Sequence, residues 1–354
     1  IGIPPMKHPR LTAFAAVFSA LLLPQTAKAS IANNPMTTTS IAAIQEGFID
    51  PPLRARAGAF WPWLNANVDR DRLRYELQQM KEKGMSGAEI WDVQAMRNGH
   101  MVPAGPEFLS PESVANIRYA LAEAKKLGLR MGMITSSGWN AGGTWVSPDW
   151  AGKTLVHSFT VTTGPATYSG QLPFPALPPE CPLAPNGLPQ YYREVAVLAV
   201  RTSADNTVTT MADIINLSRQ MQPDGHLTWE VPDGSWHILR FVCTNTGQTL
   251  IVPSPKSNGL FIDFLDPNAT RRHLQTIMDR LGITPDNAAE VGLSYLEVDS
   301  MELHEGTPWT DAFPTCFKQY RGYDPTNFLP ALAGYTIVDK STSEAFLYDF
   351  RNTV

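Results

Sequence analysis

Only three cysteines, Cys181, Cys243 and Cys316, occur in a chain of 354 residues. Odd in number and widely spaced, they exclude a disulfide-framework fold and allow one disulfide whose pairing the sequence does not fix. No zinc-type Cys/His spacing accompanies them. Clustered positive charge is also missing. The 28 lysines and arginines are outnumbered by 33 acidic residues, for a formal net charge of −5. Nucleic-acid binding needs a basic footprint, so no nucleic-acid partner is expected. Beyond the N-terminal region, no apolar run approaches the ~18 residues of a membrane span. No G-x-G-x-x-G follows the first expected strand, and no lysine follows the glycines of SSGWNAGGTW as a phosphate loop requires. A G-x-S-x-G elbow, the mark of one kind of Ser-His-Asp site, is absent. So are internal repeats.

What is present fits a globular protein. Hydrophobic residues make up 43% and charged residues 17% of the chain, enough for a sizeable core in one large domain or two ordinary ones. Nine tryptophans are suited both to core packing and to aromatic-lined sugar clefts. Met6, Lys7 and Arg10 form a short basic region, LTAFAAVFSALLL an apolar run, and Ala27–Ala29 (AKA) a small-residue cleavage site before Ser30. This is the three-part pattern of a secretory signal. Residues 1–29 are therefore expected to be upstream residues and signal, with IGIPP lying ahead of the true start. The mature protein is expected to be secreted or periplasmic, with no membrane span. Residues 30–47 are small and polar and read as a disordered leader.

From residue 48 the pattern becomes regular. AGAFWPWLN reads as a strand ending at Asn65. In VDRDRLRYELQQMKEKG, Leu73, Leu77 and Met80 recur at helical spacing, with Asp69 or Asp71 to cap the start and Gly84 to close the end. GAEIWDVQ is a strand. SPESVANIRYALAEAKKLG is a helix with Ser110 as N-cap and Pro111 in its first turn. LRMGMITSSGWN is a strand running into a glycine-rich turn. Strand–helix alternation of this kind predicts parallel strands with crossover helices, which a doubly wound sheet and a TIM barrel both satisfy. The missing dinucleotide motif favours the barrel. The expected strand ends, Asn65, Asp92 with Gln94, and Ser136 to Asn140, are polar where a barrel carries its chemistry.

Residues 155–255 are β-rich and divided by turns and a proline-dense connector, QLPFPALPPECPLAPNGLP. They predict an inserted antiparallel subdomain. Alternation resumes with NGLFIDFLDP, a strand carrying Asp263, then a helix capped by Asp266, then the strand LSYLEVDSMEL and further helices. The fold class expected is α/β: a (β/α)8 barrel, incomplete in this chain, whose first part is residues 48–154 and whose continuation is residues 256–354. Roughly five barrel strands, against the eight of a closed barrel, imply the front part of a longer protein.

The stretch YLEVDSMELHEGTPW carries the chemistry. An apolar strand ends in Asp299, Glu302 and Glu305, with His304 among them. Glycosidic cleavage needs one carboxyl as proton donor and a second that activates water or attacks carbon. A Glu at a barrel strand end meets that need, although an isolated acidic cluster is more often a solvated loop or a helix cap. Trp61, Trp63 and Asn65 in FWPWLN, with Trp139 and Asn140 in SSGWN, are candidates to line a sugar pocket, and their alternative is core packing. Asp263 is a further candidate, and a helix cap is its alternative. His304 is a single histidine, suited to hydrogen bonding more than to holding a metal.

Taken together these segments resemble glycoside hydrolase family 106, the α-L-rhamnosidases. The resemblance runs in order through DPPLRARAGAFWPWLNANV, LQQMKEKGMSGAEIWDV, SSGWNAGGTWVSPDWAGKTLV, NGLFIDFLDPNATRRHL, VDSMELHEGTPWTDAF and YRGYDPTNFLPALAG. It implies a (β/α)8 catalytic barrel and inverting hydrolysis of terminal α-L-rhamnosides from plant polysaccharides or glycosides. Calcium at the site is implied as well, without assignable ligands. VDSMEL is similar to the family's Asp-Ser-Trp-Glu stretch, which places a functional Glu on Glu302, the candidate for one of two catalytic carboxylates; Asp299 is expected to position the sugar or to tune Glu302. Met301 departs from the Trp of that stretch. The second carboxylate of an inverting pair is expected beyond Val354. A secreted glycan-binding protein, and a glycosidase of other specificity on a related barrel, are the alternatives.

Overall fold

The computed structural model describes residues 40–96, 101–302 and 306–354. Its helices, in chain order, are α1 Ile41–Ile49, α2 Arg70–Glu82, α3 Pro111–Lys126, α4 Pro267–Leu281, α5 Ala288–Val291, α6 Phe313–Arg321 and α7 Lys340–Arg351. Its strands are β1 Gly58–Leu64, β2 Gly87–Val93, β3 Arg130–Ile134, β4 Gly142–Gly143, β5 Lys153–Gln171, β6 Tyr192–Arg201, β7 Thr207–Val208, β8 Ile214–Asn216, β9 His226–Asn245, β10 Leu260–Phe261, β11 Leu293–Glu297, β12 Pro308–Trp309 and β13 Thr336–Ile337.

Four strands form a parallel sheet in the order β1-β2-β3-β11. Local signals set the helices that cover it. Asp69 caps α2, its carboxylate accepting the Arg72 amide at 2.9 Å, and Ser110 caps α3 with Pro111 at its first position. Such caps satisfy amides that the first helical turn leaves without partners. Leu73 and Leu77 of α2, Ile117 and Leu121 of α3, and Ile277 and Leu281 of α4 then pack on Ala88, Ile90, Met131 and Met133. Because strand side chains alternate, those four residues define the helix-facing side, and Glu89, Trp91, Gly132 and Ile134 point the other way. The fold is thus mixed α/β with half a barrel's worth of parallel strands.

NGLFIDFLDP differs from its expected role. Leu260 and Phe261 pair antiparallel to Gly143 and Gly142, and Ile262 bridges Ala151, all outside the parallel sheet. The physical reason lies in the glycines: a Cβ on Gly142 would collide with the Leu260 carbonyl. Among the described residues, four strands therefore make up the barrel-type parallel sheet where five were counted. Residues 41–47, read as part of a disordered leader, lie in the exposed helix α1, which Ser40 caps and which runs on to Ile49.

The second sheet is antiparallel, in the order β12-β5-β9-β6-β8. Its centre is buried on both faces. Ala196, Leu198 and Val200 meet a cluster containing Trp309, Phe313, Phe317, Phe346 and Phe350. Val197 and Ala199 face Leu227, Trp229 and Trp236 on the other side. This double burial explains why EVAVLAVR reads as a continuous apolar run instead of an alternating one. α6 and α7 thus pack on the antiparallel sheet. All three cysteines are free, so the one disulfide the sequence allowed does not form. Among the described residues no helix is long and apolar enough to cross a membrane.

Candidate active site

The C-terminal ends of β1, β2, β3 and β11 share one edge, and an arm from residue 246 to 257 crosses it. Asn140 accepts the Ile251 amide at 2.8 Å, and the Trp139 amide donates to the Ile251 carbonyl. The Ser254 hydroxyl donates to Asp92 at 2.6 Å, while Ser137 donates to the same carboxylate oxygen. Burial pushes the Asp92 carboxyl up to about 6, against the pull of these two hydroxyls. Asn65 sits at a left-handed φ of 55°, a region Asn tolerates better than most residues. Its side chain accepts the Ala95 amide and donates to the Val102 carbonyl, each at 2.8 Å. Asn65, Asp92 and Asn140 are all buried. They hold the backbone that shapes this edge.

Trp61 and Trp63 correct the sequence reading. They are 5% and 4% exposed, belong to the helix-facing core, and meet edge to face at 5.6 Å. The Trp61 indole donates to Glu76 of α2 at 2.7 Å. Their alternation partners take the open side instead. Phe60, 64% exposed, packs on Trp91 at 4.6 Å, and Trp91 meets Trp139 edge to face at 5.8 Å. An aromatic strip of Phe60, Trp91 and Trp139 therefore runs along this side of the sheet.

Asp263 is also placed away from a ligand role. Its side chain is 1% exposed and pairs with Lys153, itself 2% exposed, at 3.0 Å. Thr310 donates to it at 2.7 Å, and the Leu265 amide at 3.1 Å. Burial raises its pKa, and the Lys153 charge opposes that rise. With its oxygens occupied by these donors, Asp263 fastens β5 to the segment after β12.

Asp299 and Glu302 stand apart in being exposed. Asp299 is held above the ordinary carboxylate range, first by partial burial and then by the charges of Glu297 and Glu302. Ser300 lies 3.5 Å from the Glu302 carboxylate, and its amide donates to the Trp139 carbonyl at 3.2 Å. Gln248 of the crossing arm donates to the Glu302 carbonyl. The segment after β11 is thus tied by its backbone, and its carboxylates remain free to meet a ligand. His304 lies outside the described residues. The structure accordingly brings Asp299, Glu302 and Trp139 to one place, with Asn65 and Asn140 beneath as supports.

Two acids missed in the sequence complete the picture. Glu89 is 5% exposed and accepts the Trp91 indole at 2.7 Å. It also interacts with Glu297 of β11, whose pKa rises to about 7 through a hydrogen bond to Glu89, burial, and the Glu89 charge. An acid in the middle of an apolar strand was the available signal. Along the start of β5, a groove of about 590 Å³ passes His157, Pro178, Glu180 and Thr307.

Exposed acids at the C-terminal edge of parallel strands stand where α/β glycoside hydrolases carry their chemistry. The chain belongs to glycoside hydrolase family 106, described as alpha-L-rhamnosidase, whose family model matches residues 49–209 and 186–354. A rhamnosidase from Novosphingobium sp. PP1Y shares the fold, with a TM-score of 0.72 at 22% identity, over 88% of this chain and 44% of that one. A protein of Formosa agariphila described as "Putative beta-glucuronidase" is 29% identical over 350 residues, 89% of this chain and 28% of that protein. The chain thus spans less than half the length of either.

Proposed function

We propose that the protein is an inverting glycoside hydrolase that cleaves terminal α-L-rhamnosides from plant polysaccharides or glycosides. The observation that carries this reading is the family match over residues 49–209 and 186–354. The exposed pair Asp299 and Glu302 beside the Phe60–Trp91–Trp139 strip supports it. In this reading the four parallel strands are part of a (β/α)8 barrel, of which residues 48–154 are the first portion, and residues 155–255 an insertion. Glu302 is one of the two catalytic carboxylates, Asp299 positions the sugar, and Trp139 offers it an apolar face. An inverting pair stands roughly 6.5–9.5 Å apart so that a water fits between. The partner of Glu302 belongs to the part of the protein that the longer relatives have and this chain does not span. The groove past His157 would take the rest of the glycan. Export through the N-terminal signal would deliver the enzyme to such substrates.

A uronic acid substrate, as the name of the Formosa agariphila relative implies for that protein, is less well matched. Its carboxylate would meet Asp299 and Glu302. A neutral deoxy sugar avoids that repulsion.

Calcium takes about six to eight oxygen ligands. Among the described residues no group of three or more His, Cys, Asp and Glu side chains is placed to hold a metal. Asp299 and Glu302 could supply part of such a shell, and no step of the proposed reaction is routed through it.

The test is hydrolysis of an aryl α-L-rhamnoside by the full-length protein, with proton NMR of the first product. Release of β-rhamnose supports the reading. Release of α-rhamnose keeps the substrate and overturns the inversion. No turnover of this or other aryl glycosides by a folded sample supplied with calcium moves the reading to a secreted glycan-binding protein.

A further inference from the structure

Val252, in the arm that crosses the strand ends, sits at a left-handed φ of 48°. That conformation is costly for a β-branched residue, and it persists only where its surroundings over-determine it. Here they do. The Val252 carbonyl accepts the Gln94 amide at 2.9 Å, and the Ile251 carbonyl accepts the Trp139 amide at 3.2 Å. The Ile251 amide donates to Asn140 and the Ser254 amide to Ser137, each at 2.8 Å. Gly138 permits this close approach, since a Cβ there would stand 2.2 Å from the Ile251 carbonyl oxygen. The arm is also fixed from the side of β10. The Phe261 amide donates to the Gln248 carbonyl and the Leu250 amide to the Gly259 carbonyl, each at 3.0 Å.

Gln248 connects this arm to Glu302. It is 2% exposed, and its side-chain amide donates to the Glu302 carbonyl at 2.5 Å. Two residues earlier the Ser300 amide donates to the Trp139 carbonyl at 3.2 Å, and Trp139 is itself bonded to the arm. The backbone on either side of Met301 is thus held to one frame. We propose that Gln248 is a positioning residue for Glu302, passing the fixed placement of the strained arm to the backbone that carries the acid. The catalytic part of this inference rests on the reading of Glu302 above; the tether does not. An amide suits the task because it donates a hydrogen bond and carries no charge. A lysine could also donate to the carbonyl, but its charge would favour the ionised carboxylate next to it. Gln248 acts through Glu302 and does not touch the reacting bond.

The experiment compares full-length wild type, Gln248→Met, Glu302→Gln and the double variant. Met keeps the length of the side chain and removes the donor. The readouts are kcat and KM for an aryl α-L-rhamnoside, the unfolding midpoint, and hydrogen exchange at the Ser300 amide. Misplacing a reacting group by about 1 Å can cost roughly 10²-fold. Gln248→Met should therefore lower kcat by roughly ten- to a hundredfold, with KM and the unfolding midpoint changed far less. The Ser300 amide should exchange faster. In the Glu302→Gln background the same substitution should leave the residual turnover unchanged, because residues that act through one group are not additive. Wild-type kcat with unchanged exchange at Ser300 overturns the proposal. A loss that multiplies in full in the double variant also overturns it, since Gln248 would then act elsewhere. Should Gln248→Met not fold, Gln248→Glu, of the same shape and without a donor when ionised, is judged by the same outcomes. A wild type with no rhamnosidase turnover removes the functional reading, while exchange at Ser300 still decides the tether.

Discussion

The ring of Tyr295 lies over the bare backbone of Gly132, its register partner on the neighbouring strand. A Cβ at Gly132 would fall far inside contact with three carbons of that ring. Gly132→Ala should therefore displace the Tyr295 ring. Overpacking of this kind costs about 1–3 kcal/mol. Urea unfolding of the single variant, and of Gly132→Ala with Tyr295→Ala, checks it. The double variant should recover much of the steric part, and equal stability of Gly132→Ala and wild type would refute the contact.

Asp92 gives a pH prediction with a definite sign. Its pKa is raised from 3.8 to about 6 by burial. The folded state then binds the proton more tightly than the unfolded state, so stability falls as pH rises from about 4 to about 6 and levels off above. At ~1.4 kcal/mol for each pKa unit, the loss is about 3 kcal/mol. Asp92→Asn keeps an oxygen to accept from Ser137 and Ser254 and has nothing to ionise. Its stability should exceed that of wild type above about pH 6 and lack this pH step. Denaturant titrations at about pH 4 and pH 8 decide the matter.

Lys153 and Asp263 form an ion pair in which both side chains are almost wholly buried. Removing one partner leaves the other charged without compensation, at a cost of about 3–5 kcal/mol. Asp263→Ala should therefore unfold at markedly lower denaturant. Replacing both residues together, by Met at Lys153 and Leu at Asp263, should cost much less. A double variant as damaged as the single one would show that the pair's charges are not what matters there.

Helix caps and the three strands of residues 58–134 were legible because their signals are local. Ser110 caps as its neighbours require, and Leu73 and Leu77 mark one helix face. The assignment of strand faces was not local. Alternation puts Trp61 and Trp63 on one side of β1, but only the helices that cover the sheet decide which side is core. The same holds for Glu89, whose meaning depends on Glu297, a residue far along the chain. NGLFIDFLDP carried a strand pattern, yet its backbone pairs with the glycines at 142 and 143 and not with the parallel sheet. Asp263 was legible as an acid and not as half of a pair, since Lys153 comes from the start of β5.

Glu302 is the residue on which the functional proposal turns. Its side chain is exposed, and the Ser300 hydroxyl lies 3.5 Å from its carboxylate. The backbone carbonyl, held by Gln248, anchors the segment, and Glu302→Gln leaves that anchor intact. The substitution should therefore leave the unfolding midpoint near that of wild type. A carboxyl that gives or takes a proton in the rate-determining step contributes roughly 10²–10⁴-fold. The full-length Glu302→Gln enzyme should lose kcat by a factor in that range, with KM for an aryl α-L-rhamnoside changed far less. Asp299→Asn separates the two acids: a sugar-positioning carboxylate should raise KM as well as lower kcat. Near wild-type turnover in Glu302→Gln would remove Glu302 from the catalytic pair, whatever the substrate proves to be.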